Sequence, residues 1–568
     1  MKYSKRYIAF TVVLALLFIL KFQILGGDRA QIGQFRGGEL DAEVWNPLVA
    51  KDVNQGTIHA VIDNQNYSSS NMGFYMNEDR NIMVPVDLLR DALNCSAHVY
   101  DKNRLLVEKH SQSVSMELGE KKAYLNGEEV DIASGLQKKG NQMYVSLDDL
   151  SELLGYNCSF DITKKTITAS DQDTSAVVPT AYDLRERDRV SDIYNQGTYG
   201  TCWAFAATSA LESSLRPEEK VNFSVDHMSM SNSYNANQYD GGEYTMGMAY
   251  LAAWQGPVYE KDDPYGDGKT DASLKAVRHV QEIQVIDGKD YEGIKEAVFK
   301  YGGVESSLYS TISSSQGGSG YYNPTTSAYC YIGTQKPNHD VVIIGWDDNY
   351  PRTNFNTPLE GDGAFICQNS WGSSFGENGI FYVSYYDTNI GTHNVVYTRV
   401  DGVDNYDHIY QSDLCGWVGK MGYDSEQIYG ANVFKAKKAE NLSAASFYAT
   451  GANTSYEVYV VHDFKNEKSF GQREKLASGT LKKAGYYTVD FDTDVTLKKG
   501  ERFAVVVYLK TPGSKHPMAI EYDTGEKILQ GVDLDDGEGY ISLNGRKFVN
   551  VKEKKECNLC IKAFTRDE

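Results

Sequence analysis

The sequence predicts an α+β protein of several units strung along a 568-residue chain. Three observations lead there. Near the N-terminus, a 61-residue offset relates two stretches that each read as strand, short helix and hairpin. In the middle, an apolar helical run and several apolar strand runs alternate with Gly-rich turns. After about residue 403, only short alternating strands recur. The length by itself suits three or four domains.

The chain opens on Lys2, Lys5 and Arg6, followed by fourteen uncharged residues, Tyr7 to Leu20. A basic flank before such a run is the pattern of a targeting segment. Lys21 and Gln23 interrupt its continuation and no Ala-x-Ala site follows. Residues 1–27 therefore read as a cleaved signal peptide or a retained membrane anchor, both left open. In either case the positive flank stays inside and the body is exported. Residues 28–60 are polar and aperiodic, a linker. Residues 61–170 hold the repeat: Val84-Pro-Val-Asp-Leu-Leu-Arg-Asp-Ala-Leu93 aligns with Val145-Ser-Leu-Asp-Asp-Leu-Ser-Glu-Leu-Leu154. Between the copies, Val114–Leu118 and Lys122–Gly127 read as an alternating hairpin. Residues 171–178 are a polar hinge suited to processing.

The central stretch carries the chemistry. Gln196-Gly-Thr-Tyr-Gly-Thr-Cys202-Trp203 places a thiol at the head of the run Cys202 to Leu215, which is apolar nearly all round and so reads as a buried helix. Pro217 helps end it. A helix N-terminus carries unpaired N–H groups and partial positive charge, which favour thiolate, the nucleophilic form. Pro337-Asn338-His339-Asp340-Val-Val-Ile-Ile-Gly-Trp346 puts a histidine at the head of a buried strand. Ala364-Phe-Ile-Cys-Gln-Asn369-Ser-Trp371-Gly372 ends a strand on an asparagine able to fix the histidine ring, with a tryptophan able to shield that bond from water. Residues 403–568 contain strands at Ala444–Tyr448, Tyr456–Val461, Tyr486–Phe491, Phe503–Leu509, Met518–Tyr522 and Cys560–Phe564, which predict a β-sandwich.

Composition excludes some functions. Lys and Arg total 56 against 77 Asp and Glu, a net charge of −21. With no basic patch, nucleic acid is not expected as a partner. Eight cysteines less one nucleophile leave an odd number, against a full disulfide framework. Cys367 reads as a core thiol. Cys557 and Cys560 lack a second pair or a His cluster, so a local disulfide or buried thiols are expected there in place of a metal. No cofactor is expected. The acidic runs Asp401–Asp407 and Asp533–Glu538 are candidates for structural calcium, with solvated loops the plainer reading, since the EF-hand spacing is absent.

The three central motifs resemble those of the papain-like cysteine peptidases. The order Cys202, His339, Asn369 is the family's, with separations of 137 and 30 residues. Tyr182-Asp-Leu-Arg185, Asp240-Gly241-Gly242, Gly256-Pro-Val258 through Asp263-Pro-Tyr265, and Gly302-Gly-Val-Glu-Ser306 match further family segments. The resemblance implies a two-lobe peptidase, a helical lobe plus a β-barrel lobe, over residues 179–400. It implies Cys202 as nucleophile, His339 as its proton partner, Asn369 as the group orienting His339, and Gln196 with the Cys202 N–H as oxyanion hole. Gly241 and Gly242 would clamp the substrate backbone, with Trp371 and Asn338 joining the substrate-binding set. The family's hydrophobic pocket beside the clamp sets preference; Glu243 and Tyr244 occupy the positions after Gly242 here. One departure stands out: Tyr199 replaces a cysteine whose disulfide braces the family's active-site loop.

The first unit resembles the copper amine oxidase N-terminal module, a spacer or wall-contact unit here with no copper implied, and with autoinhibition left open. The third resembles the lectin-like domain that follows papain-like peptidases in clostridial surface proteins; sugar binding does not follow from that label. Together these imply an exported endopeptidase of a Gram-positive cell surface. Protein or peptide substrates are expected, and cell-wall or S-layer components as further partners. An envelope-binding protein with a dead or secondary peptidase, and acyl transfer to an amine, are the alternatives.

Overall fold

Val84 and Val145, equivalent in the 61-residue repeat, lie directly opposite each other. Strand β1 (Ile82–Pro85) pairs antiparallel with its repeat partner in Gln142–Ser146. In the first copy β1 leads into helix α1 (Val86–Asp91) and the hairpin β2 (Ser96–Tyr100) and β3 (Arg104–Lys109). In the second, β4 (Gln142–Ser146) leads into α2 (Leu147–Leu154) and the hairpin β5 (Tyr156–Asp161) and β6 (Thr166–Asp171). Ser146 caps α2 by accepting from Asp149 N, and Gly155 ends it at φ 69°. Leu88, Leu89, Leu150 and Leu153 from the two helices share one core. The computed structural model describes residues 59–568, apart from 63–64, 68–72, 80, 111, 162–165, 172–177, 313–318 and 553–555. The targeting segment, nearly all of the linker and most of the hinge lie outside the described residues. Among those described, no helix is long and apolar enough to cross a membrane.

The central unit is built on helix α3 (Cys202–Leu215), buried from Trp203 to Ser213. A further helix of its lobe, α4 (Tyr244–Ala252), packs beside α3. The strand lobe follows as β7 (His279–Ile286), helix α5 (Tyr291–Lys300), β8 (Val304–Leu308), β9 (His339–Asp347), β10 (Ala364–Gln368), β11 (Ile380–Ser384) and β12 (Asn394–Asp401). The third unit contributes β13 (Gln427–Lys435), β14 (Glu440–Ala449), β15 (Thr454–Val461), β16 (Ala484–Leu497), β17 (Arg502–Lys510) and β18 (Ile561–Asp567). Strands β13, β15 and β17 belong to one sheet, while β14, β16 and β18 form the facing layer, with Phe447 and Phe503 in the core between them.

The facing layer does not stop at the domain boundary. The order β11–β10–β9–β8–β12–β7–β16–β14–β18 runs through both units, because β7 pairs with β16 from Glu282↔Tyr487 to Val285↔Ala484. Gly485 permits this approach: a Cβ there would lie 2.1 Å from Ile283 O. All eight cysteines are free thiols, so neither unit is stapled. Among the described residues, no three His, Cys, Asp or Glu side chains cluster as a metal site. Carboxylates of the acidic runs engage the chain itself: Asp401 holds Arg399, and Glu538 holds Arg502.

The first unit docks against the central one through polar contacts. Val99 N donates to Glu218 Oε1 at 3.0 Å, His98 meets Glu218 and the Lys300 carbonyl, Tyr100 donates to Arg187 O, and Arg187 pairs with Glu108. None of these contacts uses a predicted site residue. Glu218 takes three partners, counting Arg90 at 3.9 Å. Glu218→Ala should weaken docking by about 1–2 kcal/mol, the value of one or two lost charge-assisted bonds. Scanning calorimetry should register a lower unfolding midpoint for the first unit; an unchanged midpoint would refute the assignment.

Candidate active site

Thr201 offers α3 no side-chain cap, so the first-turn N–H groups are left to other acceptors. Cys202 occupies that position, half-buried between the lobes. Burial pushes its thiol up to about 12, and the Asp340 carboxyl adds to the rise. Backbone N–H groups of Asp340, Trp203 and Cys202 itself act the other way. The helix N-terminus alone predicts a depressed thiol pKa; burial opposes it because a lone thiolate loses its hydration in the cleft.

His339 begins β9 and is buried, and desolvation lowers its imidazole to about 4. Its Nε2 lies 2.8 Å from Asn369 Oδ1. The Ser370 backbone N–H, a fixed donor, also points at that oxygen at 2.8 Å. The atom is therefore the acceptor, Nε2 carries the proton, and Nδ1 is the basic nitrogen of the neutral ring. Trp371 stacks on His339 with centroids 4.7 Å apart. Burial drives each of Cys202 and His339 toward its uncharged form.

Gln196 is pinned at four points. Its Nε2 donates to Tyr199 O at 2.8 Å, its Oε1 accepts from Ser370 Oγ at 2.7 Å, its N donates to Ser370 O, and its carbonyl accepts from Tyr265 OH. One N–H of the amide stays uncommitted. Ser370 thus ties Gln196 to Asn369, a link the sequence reading did not assign. Asn338 is exposed at the rim, and its amide is engaged with both backbone groups of Ser310. It holds the chain entering β9.

Gly241 has φ +81°, and a Cβ on Gly242 would lie 2.3 Å from Trp203 Nε1. The second glycine is thus demanded by the indole behind it as well as by any ligand in front. Tyr199 packs on Tyr239 with centroids 5.0 Å apart and on Tyr265 at 6.2 Å. Gly200 N donates to Gln238 O at 2.7 Å. Tilted and edge-on tyrosine contacts and a backbone bond thereby join the nucleophile loop to the glycine loop where the family uses a disulfide. The third unit reaches the same loop: Lys527 pairs with Asp240, and Asn235 N donates to Ile528 O.

A two-lobed fold with a helix-initial thiol beside the strand that carries a histidine–asparagine pair defines the class: a papain-like cysteine peptidase. Residues 178–399 match the papain family cysteine protease model. Residues 61–169 match the copper amine oxidase N-terminal domain, and 409–565 the lectin like domain. Among solved structures, the chain is similar to the clostridial cysteine protease Cwp84 after propeptide cleavage. That match has 28% identity and TM-score 0.61, covering 68% of this chain and 99% of the other. The cysteine protease and lectin-like domains of Cwp84, described as a surface layer associated protein of Clostridium difficile, match at 27% identity and TM-score 0.60, covering 68% and 89%. Cysteine protease Amb a 11.0101 of Ambrosia artemisiifolia is 31% identical over 36% of this chain and 50% of its own length. Cathepsin S of Bos taurus is 29% identical over 36% and 60%. The chain spans about half to three fifths of these curated relatives.

Burial raises the Asp340 carboxyl to about 6, and its negative charge, when present, opposes the thiolate. Asp340→Asn should move the pH profile of Cys202 alkylation by iodoacetamide to lower pH, by about half a unit or more. A profile that stays put or moves up would contradict this electrostatic reading.

Proposed function

We propose that the protein is an exported cysteine endopeptidase working through a thioester acyl-enzyme at the cell surface of a Gram-positive bacterium. The observation that carries the catalytic reading is the His339 Nε2–Asn369 Oδ1 bond, oriented by Ser370 N, beside a thiol at the start of α3. In this reading Cys202 attacks a peptide carbonyl as thiolate. His339, protonated by that thiol, passes the proton to the departing amine. Water then hydrolyses the thioester, His339 accepting its proton. The uncommitted N–H of Gln196 and the Cys202 N–H receive the oxyanion. Gly241 and Gly242 pair with extended substrate backbone. Export rests on the Lys2–Leu20 pattern, and surface location on the likeness to Cwp84, described as surface layer associated. Surface-layer or wall proteins are accordingly the substrates proposed.

Cys202→Ala should abolish cleavage of unfolded casein, a loss of about 10³-fold or more. Persistent cleavage would end the proposal. Gln196→Ala should lower kcat by about 10²–10³ with KM little changed, as for other oxyanion donors. A rise in KM with kcat intact would assign Gln196 to ground-state binding instead.

A further inference from the structure

We infer that the subsite beside the nucleophile recognises a cationic side chain: Asp340 and Glu305 form an acidic floor that receives a Lys or Arg of the substrate. This rests on the peptidase reading and deepens it.

Strand register brings the two carboxylates together. In the antiparallel pair β8–β9, Ser307 lies opposite Asp340 and Glu305 opposite Val342. In β8–β12, Glu305 lies opposite Val395, two residues before Tyr397. Opposed residues, and residues two apart, share a sheet face, so Glu305, Ser307, Asp340 and Tyr397 stand on one face. Asp340 acts on the Cys202 thiol, which puts this face at the cleft. Glu243, directly after the Gly241–Gly242 loop, acts on Asp340 from the opposite wall.

Among the described residues, the floor has no countercharge. Glu305 is 1% exposed, and the one donor acting on its carboxylate is the Tyr397 hydroxyl. The polar groups that act on it are Asp340 and the Tyr397 hydroxyl. Asp340 is 7% exposed and accepts from Ser307 Oγ at 2.6 Å. Among the described residues, no lysine or arginine acts on either. At the rim, Tyr244 packs on His393, and burial lowers that imidazole, leaving it uncharged at neutral pH. Other buried carboxylates of this chain are better served: Asp413 has Lys562 at 2.8 Å, and Asp149 accepts from the backbone N–H groups of Ala133 and Ser134. Two acids buried side by side without one are costly, and burial raises both, Glu305 well above the usual carboxylate range. An entering ammonium or guanidinium supplies the missing charge and donors beyond the single Tyr397 hydroxyl.

Successive side chains of an extended peptide alternate. The residue whose carbonyl meets Cys202 turns its side chain away, and its N-terminal neighbour, paired with Gly242, turns inward over Asp340. That neighbour is the position selected. A hydrophobic pocket beside the clamp, as the family resemblance implies, would select an apolar side chain there; these carboxylates reverse the preference.

The test is a map of the bonds cut in unfolded casein by the full-length protein, followed by peptides differing only at that position. Lys or Arg should be enriched one residue N-terminal to the cleaved residue. The kcat/KM for Lys should exceed that for norleucine by about tenfold or more, the worth of one charge-assisted bond. Asp340→Asn and Glu305→Gln, both isosteric, should bring the Lys-to-norleucine ratio toward one; a ratio taken within each variant cancels any general loss. Apolar residues preferred by the wild-type protein, or a ratio that survives both substitutions, would overturn the inference while leaving the peptidase reading intact. Uncut casein would overturn the peptidase reading, and this one with it. The wild-type cleavage map needs no variant to fold.

Discussion

Helix α3 is the element on which the other parts converge. A helix buried on all sides has no free face, so every neighbour is fixed by it. Its first residue is the thiol. Its second, Trp203, leaves no room for a side chain at Gly242. Phe205 packs edge-on to Tyr265, which bonds Thr201 and the Gln196 carbonyl. Near its far end, Ser213 donates to Arg189 O and accepts from Gly303 N, tying the start of the strand lobe to the helical lobe. Both lobes thus take their positions from one rod, and the cleft between them inherits its rigidity.

The lectin-like domain is more than an appendage to that arrangement. Strand pairing between β7 and β16 carries backbone hydrogen bonds across the boundary, so its sheet and the strand lobe form one layer. Tyr448 and Tyr486 belong to the same core as Trp203 and Phe299. The Lys527 segment then reaches the loop before Gly241. Tyrosine packing and this contact hold a loop that the family braces covalently. A chain with eight free thiols needs such bracing from packing.

Electrostatics sets the character of the cleft. Uncompensated buried charge is rare because desolvation is expensive, and it is tolerated where a ligand or reaction supplies the balance. Here the shifts of Cys202 and His339 toward their uncharged forms and the upward shifts of Asp340 and Glu305 have the same cause, burial in a low-dielectric environment.

The sequence by itself determined the three kinds of domain and their order, and the local motifs around Cys202, His339 and Asn369. Each of these is written in contiguous residues: a helix-initial thiol, a histidine heading an apolar strand, an asparagine closing one, a repeat with a fixed offset. The tertiary structure alone decided what depends on register and approach. Nothing local says that β7 finds β16, that Val84 faces Val145 across the repeat, or that Tyr199 meets Tyr239 in place of a disulfide. Asp340 and Glu305 were visible as charges inside apolar strands, but their meeting is set by the pairing of β8 with β9, where a one-residue slip would send them to opposite faces. Gln196 and Ser370 lie 174 residues apart and touch only because two loops close over the same helix end.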